Sequence, residues 1–396
     1  MDHKNLSFFQ KGILGTQFLF VAFGATVLVP LLVGLDPSTA LFTAGIGTLL
    51  FHLVTKGKVP IFLGSSFAFI APIQKATELY GMPGTLCGLV AVGGVYGIMS
   101  FLIKTQGTGF IKKLFPPIVI GPVIMLIGLS LAGTGVSMAK GNWPVALIAL
   151  TTAVVVSLWG KGLVKLIPIF CGIIAGYIAA IFLIGIDFTP IRDAAWFGFP
   201  KFVRPEFSWE AIIFMIPVSI APVIEHIGDV YAVNNVTGED YVKDPGLQRT
   251  MLGDGIACSV AGLLGGPPVT TYSEVTGAIS LTKVANPAIL RISAVVAIIF
   301  SLSEKVSVLL QSIPAPVLGG IMLLLFGTIA SVGIGTLIRE KVDMSSTRNL
   351  IVVSLTLTLG IGGAVFEIGS ISMQGIGLAA IIGVLLNLIL PAEKKA

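Results

Sequence analysis

Charge is scarce in this chain. Only 11% of its 396 residues are Asp, Glu, Lys or Arg, while 55% are hydrophobic. Soluble domains carry about a quarter charged residues. With a mean hydropathy of +0.99, this balance excludes an ordinary soluble domain. Cysteine is scarce too. Cys87, Cys171 and Cys258 lie singly in apolar stretches with no CxxC spacing, so they read as packing residues and not as a disulfide framework or metal centre. There is no Gly-X-Y period, so the 48 glycines and 22 prolines do not mark a fibrous repeat. They fit membrane helices, where both residues build interruptions. No basic cluster accompanies the net charge of +5; the cations stand singly between apolar runs, which excludes a nucleic-acid face. Neither metal-ligand spacing nor a nucleophile–base pair is evident, so an enzyme, a metal and an organic cofactor are not expected.

What the sequence does contain is long apolar runs. A span needs about 20 apolar residues. The runs and their polar breaks predict fourteen segments, at 13–34, 39–55, 61–79, 84–103, 115–133, 143–160, 163–185, 209–229, 250–265, 268–283, 286–303, 314–337, 348–367 and 372–391. The N-terminal stretch MDHKNLSFFQKG leads into a run long enough to span, so it reads as the approach to a first transmembrane helix. With both termini cytoplasmic, eighteen basic residues, among them Lys4, Lys112, Arg339, Arg348, Lys394 and Lys395, fall inside and six outside. That asymmetry obeys the positive-inside rule and supports the parity of the count. A plasma (inner) membrane location follows.

The chain also repeats itself. FPPIVIGPVIMLIGLSLA (115–132) resembles IPAPVLGGIMLLLFGTIA (313–330) at an offset of half the chain. VPIFLGSSFAF (59–69) resembles PPVTTYSEVTG (267–277) more weakly. Seven spans per half is an odd number, so the halves must insert with opposite topology, as inverted repeats do in transporters. The fold class expected is therefore an all-α polytopic membrane protein of two inverted seven-segment repeats, with short strands in segments 3 and 10. Those two segments begin with proline and pass through hydroxyl and β-branched residues, which favours extended backbone before a half-helix. Broken backbone at membrane depth survives only where it is buried or lines a cavity. The two segments therefore mark a binding site.

Carboxylates within the spans mark the same place. Glu225 lies deep in the eighth span, where an uncompensated charge costs about 3 kcal/mol. Asp229 stands one turn on, as a second acid on that face or as a hydrated residue at the helix end. Two close carboxylates resist simultaneous ionisation, which makes Glu225 and Asp229 candidate proton-coupling residues. His226 sits about 100° round the helix, as hydrogen-bonded packing or as a relay. Glu274 opens the half-helix of segment 10, where the helix dipole favours an acid. Phe67 and Tyr272 stand at the interruptions and could stack on a flat ligand. Ser66, the repeat counterpart of Glu274, and Ala25 in the first span complete the expected substrate-contacting set.

At these residues the sequence resembles the bacterial uracil permeases of the nucleobase–ascorbate transporter (nucleobase:cation symporter) family, over essentially its whole length. The matching segments are LGSSFAF (63–69), IEHIGD (224–229) and GGPPVTTYSEVTGAISLTK (265–283), the last carrying a signature through Glu274, Gly277, Thr282 and Lys283. The resemblance implies a core domain (1–104 and 205–303), a gate domain (105–204 and 304–396), elevator-like motion, proton symport and a homodimer. It also implies that Glu225 and Glu274 bind the N–H groups of a base, while backbone near Phe67 and Ser273 holds its carbonyls. Two positions depart from the pattern: Val275 replaces the signature asparagine, and Asp229 stands where the best-known uracil permease type has histidine. The function expected is proton-coupled uptake of uracil or a close nucleobase. Alternatives are a xanthine or urate permease and a passive nucleobase channel. The fold is also similar to that of sulfate-type anion transporters, whose substrates two site carboxylates disfavour.

Overall fold

The computed structural model describes residues 7–162, 164–368 and 371–391. His3, Lys4, Lys394 and Lys395 lie outside the described residues, as does the side chain of Lys112. The chain begins with α1 (Phe8–Val33) and α2 (Pro37–Val54), passes through strand β1 (Leu63–Ser65) and a 3-10 turn (Phe67–Phe69), and enters α3 (Ile70–Gln106). There follow α4 (Thr108–Leu114), α5 (Pro117–Ala139), α6 (Trp143–Trp159), α7 (Pro168–Leu183) and the short α8 (Thr189–Asp193). The second half opens with α9 (Trp209–Val218), α10 (Ile220–Thr237) and α11 (Leu247–Leu263), then strand β2 (Val269–Thr271) and α12 (Ser273–Thr282). Next come α13 (Pro287–Ser301), α14 (Glu304–Gln311), α15 (Ala315–Arg339) and α16 (Thr347–Ile361). A hairpin of β3 (Val365–Ile368) and β4 (Ile371–Gln374) leads to α17 (Gly375–Ile389).

Local chemistry explains the boundaries. The carboxylate of Asp36 accepts from Thr39 N at the start of α2, and the Asn142, Ser208 and Ser346 side chains cap α6, α9 and α16 in the same way. Pro116 and Pro314 immediately precede α5 and α15, where their missing N–H costs no helical bond. Among the described residues six helical stretches are long and apolar enough to cross a bilayer, or seven if α13 and α14, bent by 86°, make one span. Four shorter apolar helices, α6, α7, α16 and α17, accompany them.

One predicted break is met and two predicted boundaries are corrected. The predicted break between segments 61–79 and 84–103 is present inside α3, which is two helices joined at a kink at Gly81, whose φ of 69° is not helical, just before Pro83. The eighth segment does not end at 229. Its helix is interrupted at Ser219, just after Pro217, and then runs to Thr237. The thirteenth does not reach 367. Its helix stops at Ile361, before Gly362 and Gly363, and the β-rich run beyond pairs as β3 with β4.

Packing sorts the helices into two groups. In one, α11 lies on α2 and α3, α13 on α1 and α2, and α9 on α3. In the other, α5 packs along α15, α6 on α7 and α15, and α16 on α5 and α17. The α5–α15 seam is close: a Cβ on Gly333 would meet the Gly121 carbonyl at 2.5 Å. Small residues allow such backbone approach in membrane helices. Contacts of α10 with α5 and α17, of α9 with α17 and of α1 with α7 join the groups.

Candidate functional site

The strands expected in segments 3 and 10 are present and bond to each other. Leu63, Gly64 and Ser65 pair antiparallel with Thr271, Thr270 and Val269, and Ser66 N donates to Pro268 O at 2.9 Å. Backbone polar groups that would otherwise be stranded in an apolar interior are thus satisfied. Side chains from two helices fix the pair in place. Thr48 on α2 accepts from Leu63 N at 2.9 Å, and the Cys258 thiol on α11 donates to Val269 O at 2.8 Å. Each strand then feeds a helix start, whose first N–H groups have no partner within the helix.

Between the two helix groups lies a cavity of about 720 Å³, within the usual range of small-molecule sites. Its deep end is walled by Phe67, Glu225, Asp229, Thr271, Tyr272 and Glu274, and Thr328 and Ile329 of α15 also line it. It widens along α10 and α15 to a mouth at Asn235, Thr336, Arg339 and Glu340. Glu225, Asp229 and Glu274, from two separate elements, therefore share one chamber.

Each expected residue has a definite place. Glu225 keeps one buried carboxylate oxygen, Oε2, without a hydrogen-bond partner. Asp229 is 5% exposed and accepts from Thr271 Oγ1 at 2.6 Å, so it is a buried wall residue and not a hydrated helix end. Glu274 occupies the first turn of α12. The Tyr272 hydroxyl donates to Ser65 O at 2.8 Å. Its ring lies over Gly64, where a Cβ would sit 2.4 Å from ring carbons. Phe67 meets Phe326 edge to face at 5.8 Å. Ser66 is fully buried with an unpartnered hydroxyl. Ala25 lies in α1 and Ser273 opens α12; their side chains are outside the described part of the structure. Val275, at the signature asparagine position, is buried at 1% exposure.

His226 points away from the cavity. Its Nε2 is 3.1 Å from Thr250 Oγ1 and its Nδ1 is 2.8 Å from Asp254 Oδ2, with both side chains fully buried. Asp254 escaped the sequence reading, although an acid in an apolar run should have been marked by the same energetic argument that marked Glu225. Thr271 was read only for its backbone preference. Its hydroxyl bond to Asp229 spans 42 residues and left no local signal. No group of three or more potential metal ligands occurs among the described residues.

A permease family profile matches residues 9–368. The chain belongs to this permease family. It is 50% identical to a probable uracil permease of Haemophilus influenzae over 99% of this chain and 97% of that protein. With the uracil permease of Bacillus caldolyticus it shares 46% identity, over 97% and 92% of the two chains. In fold it resembles the transmembrane domain of a cyanobacterial bicarbonate transporter, with a TM-score of 0.66 at 14% identity, covering 96% and 97% of the chains. The permease is thus a multi-pass membrane transporter and not an enzyme.

Proposed function

We propose that this permease takes up uracil or a closely related nucleobase together with protons. The observation that carries the reading is the company of Glu225, Asp229 and Glu274 at the deep end of one cavity, beside Phe67 and Tyr272. Carboxylates accept hydrogen bonds and do not donate them when ionised. They therefore suit the ring N–H groups of uracil, while helix-start N–H groups near Phe67 and Ser273 suit its carbonyls. An inorganic anion would meet like charge in the same place. The names of the relatives, uracil permeases, point the same way.

Proton coupling follows from crowding. Three acids around one chamber resist simultaneous ionisation, so a proton taken with the base relieves the repulsion. Glu225, with an unpartnered oxygen, and Asp229, one turn on, are assigned the proton. Glu274 anchors the base. Alternating access is assigned to sliding of the α1–α3 and α9–α13 group, as core, against the α5–α7 and α15–α17 group, as gate. The cavity mouth carrying Arg339 is set on the cytoplasmic side, with a homodimer in the plasma membrane.

Labelled uracil uptake into proteoliposomes under an imposed pH gradient tests this. Accumulation should require an acidic exterior and disappear in Glu225→Ala and Glu274→Ala. Gradient-independent equilibration would indicate a passive channel and sink the coupling. A second reading rests on the cavity volume, which leaves room for a purine. Competition by unlabelled xanthine that matches uracil itself would favour it.

A further inference from the structure

The linker between α7 and α9 inverts the usual order of a surface segment. Its backbone is tied down on the inner side by polar contacts. The Lys305 ammonium donates to the carbonyls of Ile191 and Arg192 at 3.0 Å each. Gly198 N donates to Leu302 O at 2.9 Å, and Ala195 N to Glu304 Oε2 at 3.2 Å. Lys201 N reaches Asp36 Oδ2 at 3.3 Å, and Glu206 N reaches Pro83 O at 3.0 Å. What the segment turns outward is aromatic: Trp196 is 72% exposed, Phe197 86%, Phe199 87% and Phe207 79%. The Lys305 ammonium also lies 5.1 Å from the centre of the Trp196 ring and Phe207 stacks on Trp209, so the Trp196 and Phe207 rings are held in place while most of their surface stays exposed.

Two further observations say what covers them. First, the patch continues the apolar helix surfaces on either side of it, through Phe182 at the end of α7 and Trp209 at the start of α9, both largely exposed. Those helix surfaces face lipid in a membrane-spanning protein. Second, the segment mixes rings with charge, three cations (Arg192, Lys201, Arg204) against four acids (Asp187, Asp193, Glu206, Glu210) over residues 187–210. Aromatics interleaved with near-balanced charge suit the headgroup layer, where amphipathic rings concentrate, and not the hydrocarbon centre. The balance calls for no anionic lipid. The segment lies beside α14, at the end of the molecule opposite the cavity mouth, since α15 runs from α14 to Arg339 at that mouth.

We propose that residues 188–209 form a rigid belt whose partner is the zwitterionic phospholipid headgroup layer on the side opposite the cavity mouth, anchored by Trp196, Phe197, Phe199 and Phe207. The ties run to Asp36, Pro83, Leu302, Glu304 and Lys305, on the α1–α3 and α13–α14 side of the molecule.

The test uses the full chain in phosphatidylcholine vesicles with Trp143→Phe and Trp159→Phe, which leaves Trp196 and Trp209 as the only tryptophans. Phosphatidylcholine brominated near the carbonyl end of its chains should quench the emission at least twice as strongly as lipid brominated near the chain ends, with iodide quenching weak. Strong iodide quenching without bromolipid quenching would show a hydrated loop and overturn the proposal. Protection from both quenchers would show a protein cover, such as a second copy of this chain, and also overturn it. A second readout guards against misfolding of the double variant. A spin label on Phe199→Cys, with Cys87 and Cys171 changed to alanine, should relax faster with oxygen than with a water-soluble nickel chelate; the reverse order overturns the belt.

Discussion

At the residue scale the site is a set of hydrogen-bond acceptors placed by neighbours that hold them. Glu274→Gln removes a charged acceptor while keeping the shape. A bond to a charged group contributes about 1.5–3 kcal/mol, so uracil affinity measured by calorimetry should fall roughly tenfold to a hundredfold. Thr271→Val strips the hydroxyl from the Asp229 carboxylate it reaches at 2.6 Å. The unliganded protein should lose about 1–3 kcal/mol in a melting experiment, and Thr271→Ser should recover most of it. Gly64 has a different task, since any side chain there would occupy the space of the Tyr272 ring. Gly64→Ala should therefore displace Tyr272 from Ser65 O and abolish the thermal shift given by uracil, with expression in the membrane retained. Glu225 and Glu274 were legible because a buried acid has an energetic cost that any reader of the sequence can price. Thr271 was not, because its partner is brought to it only by the fold.

At the element scale the informative pieces were the irregular ones. Prolines at 60 and 268 followed by hydroxyl and β-branched residues announced both strands, and β1 and β2 lie where they were expected. The hairpin β3–β4 was missed because its apolar residues continue the run of α16; only Gly362 and Gly363 signal the break, and a glycine pair is also common inside membrane helices. The break between segments 3 and 4 was legible. Gly81 and Pro83 stand between two apolar runs, and the chain kinks there at a positive-φ glycine without a long loop. Close packing of α5 on α15 gives the prediction for this scale. Gly333→Leu would force a side chain against the Gly121 carbonyl and should cost about 1–3 kcal/mol or more. It should lower the melting temperature and slow transport without changing which base is carried.

At the scale of the whole molecule, two helix groups meet across a chamber that opens at one end. Asn235 of α10 and Thr336 of α15 both line the mouth. A cysteine at Asn235 should react with a membrane-impermeant thiol reagent from the arginine-bearing side, and saturating uracil should slow that reaction. Unchanged labelling rates would mean that the base does not enter from this end. Which apolar helix packs on which was not legible, since it is not written in hydropathy. The aromatic linker was not legible as a surface at all, because exposure is a property of the folded chain.

The pairing of β1 with β2 has a consequence for how the protein is made. Ser65 and Val269 are partners more than 200 positions apart. At about 5–20 residues per second of synthesis, β1 would wait roughly 10–40 s for its partner to leave the ribosome. Throughout that interval a stretch of extended backbone sits among inserted helices with its ladder groups unanswered, a state that the bilayer penalises. The nascent first half is therefore a natural substrate for insertion chaperones and membrane proteases. A chain truncated before Pro268 should be degraded in the cell far faster than one truncated after Thr282, which pulse–chase labelling of the two fragments would measure.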